Sequence, residues 1–248
     1  MRRLTDRFGR AARRCVSLGD LQALVIETAR DLGFDYVALL HHASLAPSSE
    51  PFVRIDNYPA GWAAELAANG LWRQDPVHLA SRRTNTIFDW RSLGRLIDVT
   101  PDQNWILRRS RAFGIGPGVT VPANVPGEPG GSCSFAVRRG GRLPRDRLDA
   151  IEVVGVHAFA AARRLADWPR ARTRPHLSRR EVQCLKLVAA GKTDGECAII
   201  LGLSVETVRT YIKRVRSAYD AVSRAQAVAL GLRDDWLSFD DIRDSRFV

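Results

Sequence analysis

No apolar run in these 248 residues approaches the roughly 20 that a membrane-spanning helix requires. Cysteine is scarce. Cys15, Cys133, Cys184 and Cys197 lie far apart and form no CxxC pair, so neither a disulfide framework nor a zinc ribbon is expected. The histidines (His41, His42, His78, His157 and His176) are scattered, with no HExxH and no Cys/His cluster of metal-ligand spacing. Ser134 sits in no GxSxG elbow, and no GxxxxGK[ST] phosphate loop is present. There is no acidic pocket near the N-terminus followed by a strand-end aspartate, as a phospho-receiver domain would need. These absences set the expectations of a chain that is not an enzyme and holds no metal or cofactor. The basic opening "MRRLTDRFGRAARR" is followed by no apolar signal core, which places the expected compartment in the reducing cytoplasm.

What the chain has in excess is positive charge, a formal +11. From Arg172 to Arg233 there are twelve basic residues against five acidic, whereas Asp234 to Val248 has five acidic against two basic. The densest positive charge therefore lies in the C-terminal quarter and ends in an acidic tail. Charge alone fits RNA, DNA or an acidic lipid surface equally well. The stretch "DWPRARTRPHLS" has two prolines, four arginines and almost no apolar periodicity, so it reads as a linker that neither continues a helix nor packs. This gives an N-terminal domain at 1–166, a linker at 167–176 and a C-terminal domain at 177–248.

Helix signals follow the linker closely. Ser178 to Glu181 is a capping box, Val182, Leu185, Val188 and Ala189 repeat at helical spacing, and Gly191 stops the helix. Thr193 to Glu196 is a second capping box, with Cys197, Ile200 and Leu201 inward and Gly202 as the stop. Ser204 caps a third helix whose buried stripe is expected to be Val205, Val208, Ile212 and Val215. "SRAQAVALGLR" supplies the fourth. Two helices joined by a tight glycine turn, the second rich in arginine and lysine, fit a helix-turn-helix reading the major groove. A plain helical bundle with solvated charges fits the same capping and charge.

The words of the segment "LSRREVQCLKLVAAGKTDGECAIILGLSVETVRTYIKRVRSAYDAVSRAQAVALGL" resemble the LuxR-type helix-turn-helix over its whole length. The resemblance implies that Arg209 and Lys213 read bases and that Lys192, Thr207 and Arg214 hold phosphate. Tyr211 departs from a common histidine, and Tyr219-Asp220 departs from a common leucine-glycine.

Upstream, "SLGDLQALVIETARDLGF" is amphipathic through Leu21, Leu24, Val25, Thr28 and Leu32. "DYVALLHHAS", "PFVRIDNY", "GVTVPANV" and "SCSFAVRR" read as strands, "PGEPGG" as a loop, and "LPRDRLDAIEVVGVHAFAAARRLADW" as a long closing helix opened by Pro144. The expected fold class is α+β: an N-terminal α-β-α sandwich around an antiparallel sheet, with a C-terminal four-helix helix-turn-helix domain. The window "RIDNYPAGWAAELAANGLWRQDPV" gathers Tyr58, Trp62, Trp72 and Asp75-Pro76. Tyr58 is expected to end a strand, Pro59 to open a helix with Trp62 one turn along it, and Asp75-Pro76 to begin the next element. Aromatic walls with a few fixed polar groups are how proteins hold a small amphipathic ligand. A packed core in which Tyr58 and Asp75 satisfy each other fits the same residues.

"NYPAGW", "DPV", Trp90, "FGIGPGVTVP" and "GGSCSF" resemble, in order, the acyl-homoserine-lactone-binding domain of LuxR-type quorum-sensing regulators. The resemblance implies that Trp62 donates to a lactone carbonyl, that Asp75 accepts from the ligand amide, and that Tyr58 and Ser134 donate to the acyl carbonyl. Trp90 would wall the lactone ring. Leu66 stands where the pattern has tyrosine, which changes the acyl side of the pocket and leaves the acyl group open. The implied partners are a small-molecule autoinducer, double-stranded DNA with an inverted repeat, a second copy of the chain and RNA polymerase, with no membrane. Two alternatives share these residues: a regulator answering to a non-lactone small molecule, and a DNA-binding protein that needs no ligand.

Overall fold

The structure is a computed structural model, and it describes residues 2–42, 53–68, 70–125, 130–166 and 174–243. These residues fall into two compact units, one ending before the linker and one following it. Most of the linker, 167–173, and most of the "PGEPGG" loop lie outside the described residues.

The first unit is built on a five-stranded antiparallel sheet in the order β2-β1-β5-β4-β3. Its strands are β1 (Tyr36–His41), β2 (Arg54–Asp56), β3 (Phe88–Asp89), β4 (Ile115–Ala123) and β5 (Gly131–Arg138). Because side chains alternate along a strand, the sheet has two distinct faces. Val37, Leu39, Val119, Val121, Cys133 and Phe135 point to one face and are buried with Leu21, Val25, Ile151 and Val154 from helices α2 (Leu18–Asp31) and α6 (Leu148–Leu165). Each large apolar side chain fully buried there contributes about 1.5–3 kcal/mol, so this face forms the main core. Ala38, Leu40, Thr120, Ser132 and Ser134 point the other way, toward α3 (Trp62–Ala68), α4 (Pro76–Ser81) and α5 (Pro101–Ala112). The sandwich expected from the sequence is present.

Several local expectations are corrected. The basic opening stretch forms a helix, α1 (Arg2–Arg14), held by Phe8 and Ala12, which are one turn apart and both buried. β2 ends at Asp56, two residues before Tyr58, and α3 starts at Trp62 rather than Pro59. Pro144 caps a short 3-10 turn, Arg145–Arg147, and α6 begins only after it. At Gly155 of α6, a Cβ would come within 2.9 Å of the Val121 side chain, so the missing side chain lets the helix lie close on the sheet.

The second unit contains the four expected helices: α7 (Arg179–Ala189), α8 (Asp194–Leu201), α9 (Val205–Ala218) and α10 (Arg224–Arg233). Both capping boxes form, Ser178 with Glu181 and Thr193 with Glu196. A fifth short helix, α11 (Phe239–Arg243), lies inside the acidic tail, where Asp241 is buried and bonded to Lys186 at 2.8 Å. Val208, Ile212 and Val215 are buried as expected, but Val205 is 38% exposed because it occupies the first turn, beyond the reach of the bundle core. The end of the linker does pack: the Arg174 guanidinium lies 4.3 Å from the Trp236 ring, whose indole donates to the Pro175 carbonyl. Asp220 holds φ 51°, the left-handed backbone that glycine takes readily, so aspartate at this position keeps the turn.

Candidate ligand cavity and DNA-reading face

Tyr58, Trp62, Leu66, Asp75, Trp90 and Ser134 converge on one cavity of about 60 Å³ in the first unit. They come from the segment after β2, from α3, from the start of α4, from the 3-10 turn after β3 and from β5. The remaining wall includes Ala38, Leu40, Ile106 and Ile115, which makes one side apolar. The side chain of Glu65 accepts from Arg109 Nε at 2.8 Å and thereby ties α3 to α5 across this wall. Trp72, the third aromatic of the opening window, packs against the same apolar cluster, while the cavity itself is lined by Tyr58 and Trp62.

Asp75 is the N-cap of α4. Its Oδ1 accepts from the Val77 amide at 2.8 Å, and Pro76 at the first helical position gives up no amide by being proline. Its Oδ2 lies 3.9 Å from His78 Nε2, beyond hydrogen-bond length. One carboxylate oxygen is thus committed to the helix, and the second faces the cavity side. Burial, followed by the Asp75 charge, pushes the Tyr58 phenol above its ordinary range, so Tyr58 keeps its proton and serves as a donor. The expectation that Tyr58 and Asp75 merely satisfy each other is therefore too simple, since the Asp75 bond goes to the backbone.

Trp90 is held in two ways. Its indole N–H donates to Thr120 Oγ1 at 2.8 Å, and Thr120 Oγ1 lies 2.9 Å from Ser134 Oγ. Its ring covers Gly118, where a Cβ would fall 2.6 Å from ring carbons. With its donor used by Thr120, Trp90 offers the cavity an aromatic surface.

Sequence reasoning missed Thr120, Ser132 and His78, and read His42 only as one of several scattered histidines. Ser132 and His78 line the cavity, and His42 Nε2 lies 3.0 Å from Ser132 Oγ. The signal was available on β5, where Ser132 and Ser134 alternate with buried Cys133 and Phe135. Two polar residues on one face of a strand covered on both sides indicate a lined cavity.

In the second unit the turn between α8 and α9 is short and contains Gly202 at φ 64°. Arg209, Lys213 and Arg214 are exposed on α9, away from its buried stripe. Lys192 precedes α8, and Thr207, in the first turn of α9, lies 2.8 Å from Ser204 through its hydroxyl. Arg209 lies near two carboxylates, Glu206 at 3.5 Å and Asp194 at 3.6 Å, both long contacts on a solvated side chain. A helix docked with this face in a major groove would present three cations. The apolar residues of α6 proposed for pairing are not available: Ile151, Val154 and Phe159 are consumed by the core, and Val153 and Val156 are the exposed ones.

Residues 17–165 match the family described as an autoinducer binding domain, and residues 175–230 match the LuxR family of bacterial regulatory proteins. The transcriptional activator AhyR of Aeromonas hydrophila is 26% identical over 224 residues, 88% of this chain and 86% of that protein. The quorum-sensing regulator RhlR of Pseudomonas aeruginosa is 28% identical over 220 residues, 85% of this chain and 88% of that one. The crystal structure of Escherichia coli SdiA shares the fold, with a TM-score of 0.67 at 21% identity over 94% of this chain and 98% of that chain. No helix among the described residues is long and apolar enough to cross a membrane.

Proposed function

This chain belongs to the LuxR family of quorum-sensing transcriptional regulators, which are DNA-binding proteins rather than enzymes, and from that premise we propose its ligand and its mode of DNA reading. The ligand is an N-acyl-homoserine lactone held in the cavity of the first unit, and no cofactor takes part. Trp62 donates to the lactone carbonyl, Asp75 accepts from the amide N–H, Tyr58 and Ser134 donate to the acyl carbonyl, and Trp90 walls the lactone ring. Leu66, in the apolar cluster, meets the acyl group. The observation that carries this reading is the convergence of all six side chains on one cavity, with Asp75 Oδ2 and the Tyr58 proton uncommitted to the backbone.

A cavity of about 60 Å³ is smaller than a drug-sized ligand requires, so binding widens it by moving α3 and α5 off the sheet. The DNA site is an inverted repeat read by a homodimer, with Arg209 and Lys213 on bases and Lys192, Thr207 and Arg214 on phosphate. A second reading, a ligand outside the lactone class, draws support from Leu66 and from SdiA, which has been solved with octanoyl-rac-glycerol. Titration of purified full-length protein with acyl lactones and with monoacylglycerols of equal chain length, followed by tryptophan fluorescence and DNA footprinting, separates the two. Lactone-dependent protection of an inverted repeat is expected. Equal protection without any ligand would remove the ligand-responsive reading.

A further inference from the structure

One end of the cavity carries a polar arrangement that the headgroup contacts above leave unused. Ser132 and Ser134 are two residues apart on the same face of β5, about 7 Å along the strand. Both hydroxyls are buried, and each is backed by its own relay. Behind Ser134, the Trp90 indole can only donate, so Thr120 Oγ1 accepts from it and its own proton passes to Ser134 Oγ. The Ser134 proton is then directed into the cavity.

Behind Ser132 stands His42, whose Nε2 lies 3.0 Å from the serine oxygen. The tautomer of His42 decides which partner donates. Its ring is stacked on His78, with centroids 4.2 Å apart and planes 14° from parallel. Its Nδ1 has no hydrogen-bond partner among the described residues. That nitrogen and Arg82 Nε both lie within 3.5 Å of the place a Cβ would take on Gly130, so a guanidinium cation shares the space beside Nδ1. A bare lone pair facing a cation is favoured, and a buried unpaired N–H facing it is not. The proton accordingly sits on Nε2 and is donated to Ser132. Burial, with further contributions from His78, Arg82 and His41, keeps the His42 ring neutral. Ser132 Oγ accepts from His42, and its own proton is left to point into the cavity.

We infer that Ser132, set as a donor by His42, is a specificity residue that recognises a second hydrogen-bond acceptor on the acyl group, a carbonyl oxygen placed further along the chain than the one bound by Ser134. This rests on the cavity being the ligand site but not on the lactone headgroup. An unsubstituted acyl chain would leave the buried Ser132 donor unanswered, which disfavours that ligand.

The test uses full-length protein and acyl groups of one length, either unsubstituted or bearing a single keto group at each position from the third carbon outward. Each acyl group is presented on homoserine lactone and, separately, on glycerol, and affinity is read by tryptophan fluorescence. For at least one keto position the wild type is expected to bind about fivefold tighter than the unsubstituted chain, on whichever headgroup binds. Ser132→Ala is expected to abolish that preference while leaving the unsubstituted ligand within about twofold. If Ser132→Ala does not fold, Ser132→Cys keeps the volume with a weaker donor and should reduce the preference instead. Failure of the lactone series with a keto preference on glycerol refutes the lactone reading and supports this one. A preference that survives Ser132→Ala, no preference at any keto position, or no binding on either headgroup overturns the inference.

Discussion

In the first unit Asp75, Thr120, Ser132, Ser134 and His42 are all less than a tenth exposed and are hydrogen-bonded, whereas in the second unit Arg209, Lys213 and Arg214 stand in solvent over an apolar core. The consequence is energetic. A buried polar group deprived of its partner costs about 1–3 kcal/mol, so recognition and folding share the same atoms in the ligand unit. In the DNA unit the reading side chains lie outside the core, and removing one alters binding with little change in stability.

Substitutions can break or sharpen that contrast, beginning with the largest effect. Arg209→Ala should cost about 1–3 kcal/mol per half-site and relax specificity at one symmetric base-pair position, with the melting temperature unchanged. Binding assays over a library of operator variants check this, and uniform weakening at every sequence would move Arg209 to the phosphate group. Asp75→Asn should weaken ligand binding by about 2 kcal/mol and also lower stability slightly, since asparagine still caps α4. An unchanged ligand titration would take Asp75 out of the site. Leu66→Tyr should reorder the preference among acyl chains by about tenfold at most, and an unaltered ranking would show that this side chain does not meet the acyl group. Lys192→Ala should weaken all DNA sequences alike and reduce the slope of log affinity against log salt by about one.

The smallest effect expected is acid loosening of α11. Burial opposes ionisation of Asp241, but its bonds from Lys186 and Ser238 outweigh that and hold its carboxyl below the usual carboxylate range. A depressed carboxylate contributes stability above its unfolded value, near 4, and loses it as pH falls through the lower folded value. Hydrogen exchange of the tail amides should therefore be constant from neutral pH to about 5 after correction for intrinsic rates, then rise in more acidic solution. With Lys186 partly solvated, the change should stay under about 1 kcal/mol.

How much of this was legible in the sequence differs between the units for a physical reason. Capping boxes at Ser178 and Thr193 and the stop at Gly202 are local, so the helices of the DNA unit could be read from neighbouring residues. Asp75-Pro76 was legible on the same ground. The cavity is assembled from distant segments: His42 and Ser132 are ninety residues apart in sequence, and Trp90 meets Thr120 thirty residues away. Periodicity contains no information about such pairs, and only the family resemblance pointed to the six lining residues. α1 escaped notice because two buried apolar residues anchor a helix otherwise dominated by arginine. The stripe on α6 was recognised, but periodicity alone does not say whether an apolar face meets its own sheet or another chain.

Gly118 beneath Trp90 has a consequence for protein engineering. The ring fills the space of the missing Cβ, so the two positions behave as one volume divided between a strand and a turn. Gly118→Ala alone would push the ring off its seat and break its alignment with Thr120. Paired with Trp90→Phe, the added methyl would meet a smaller ring that lacks the indole N–H. The double variant should then prefer lactone analogues enlarged on the ring side, giving a receptor–signal pair orthogonal to the natural one.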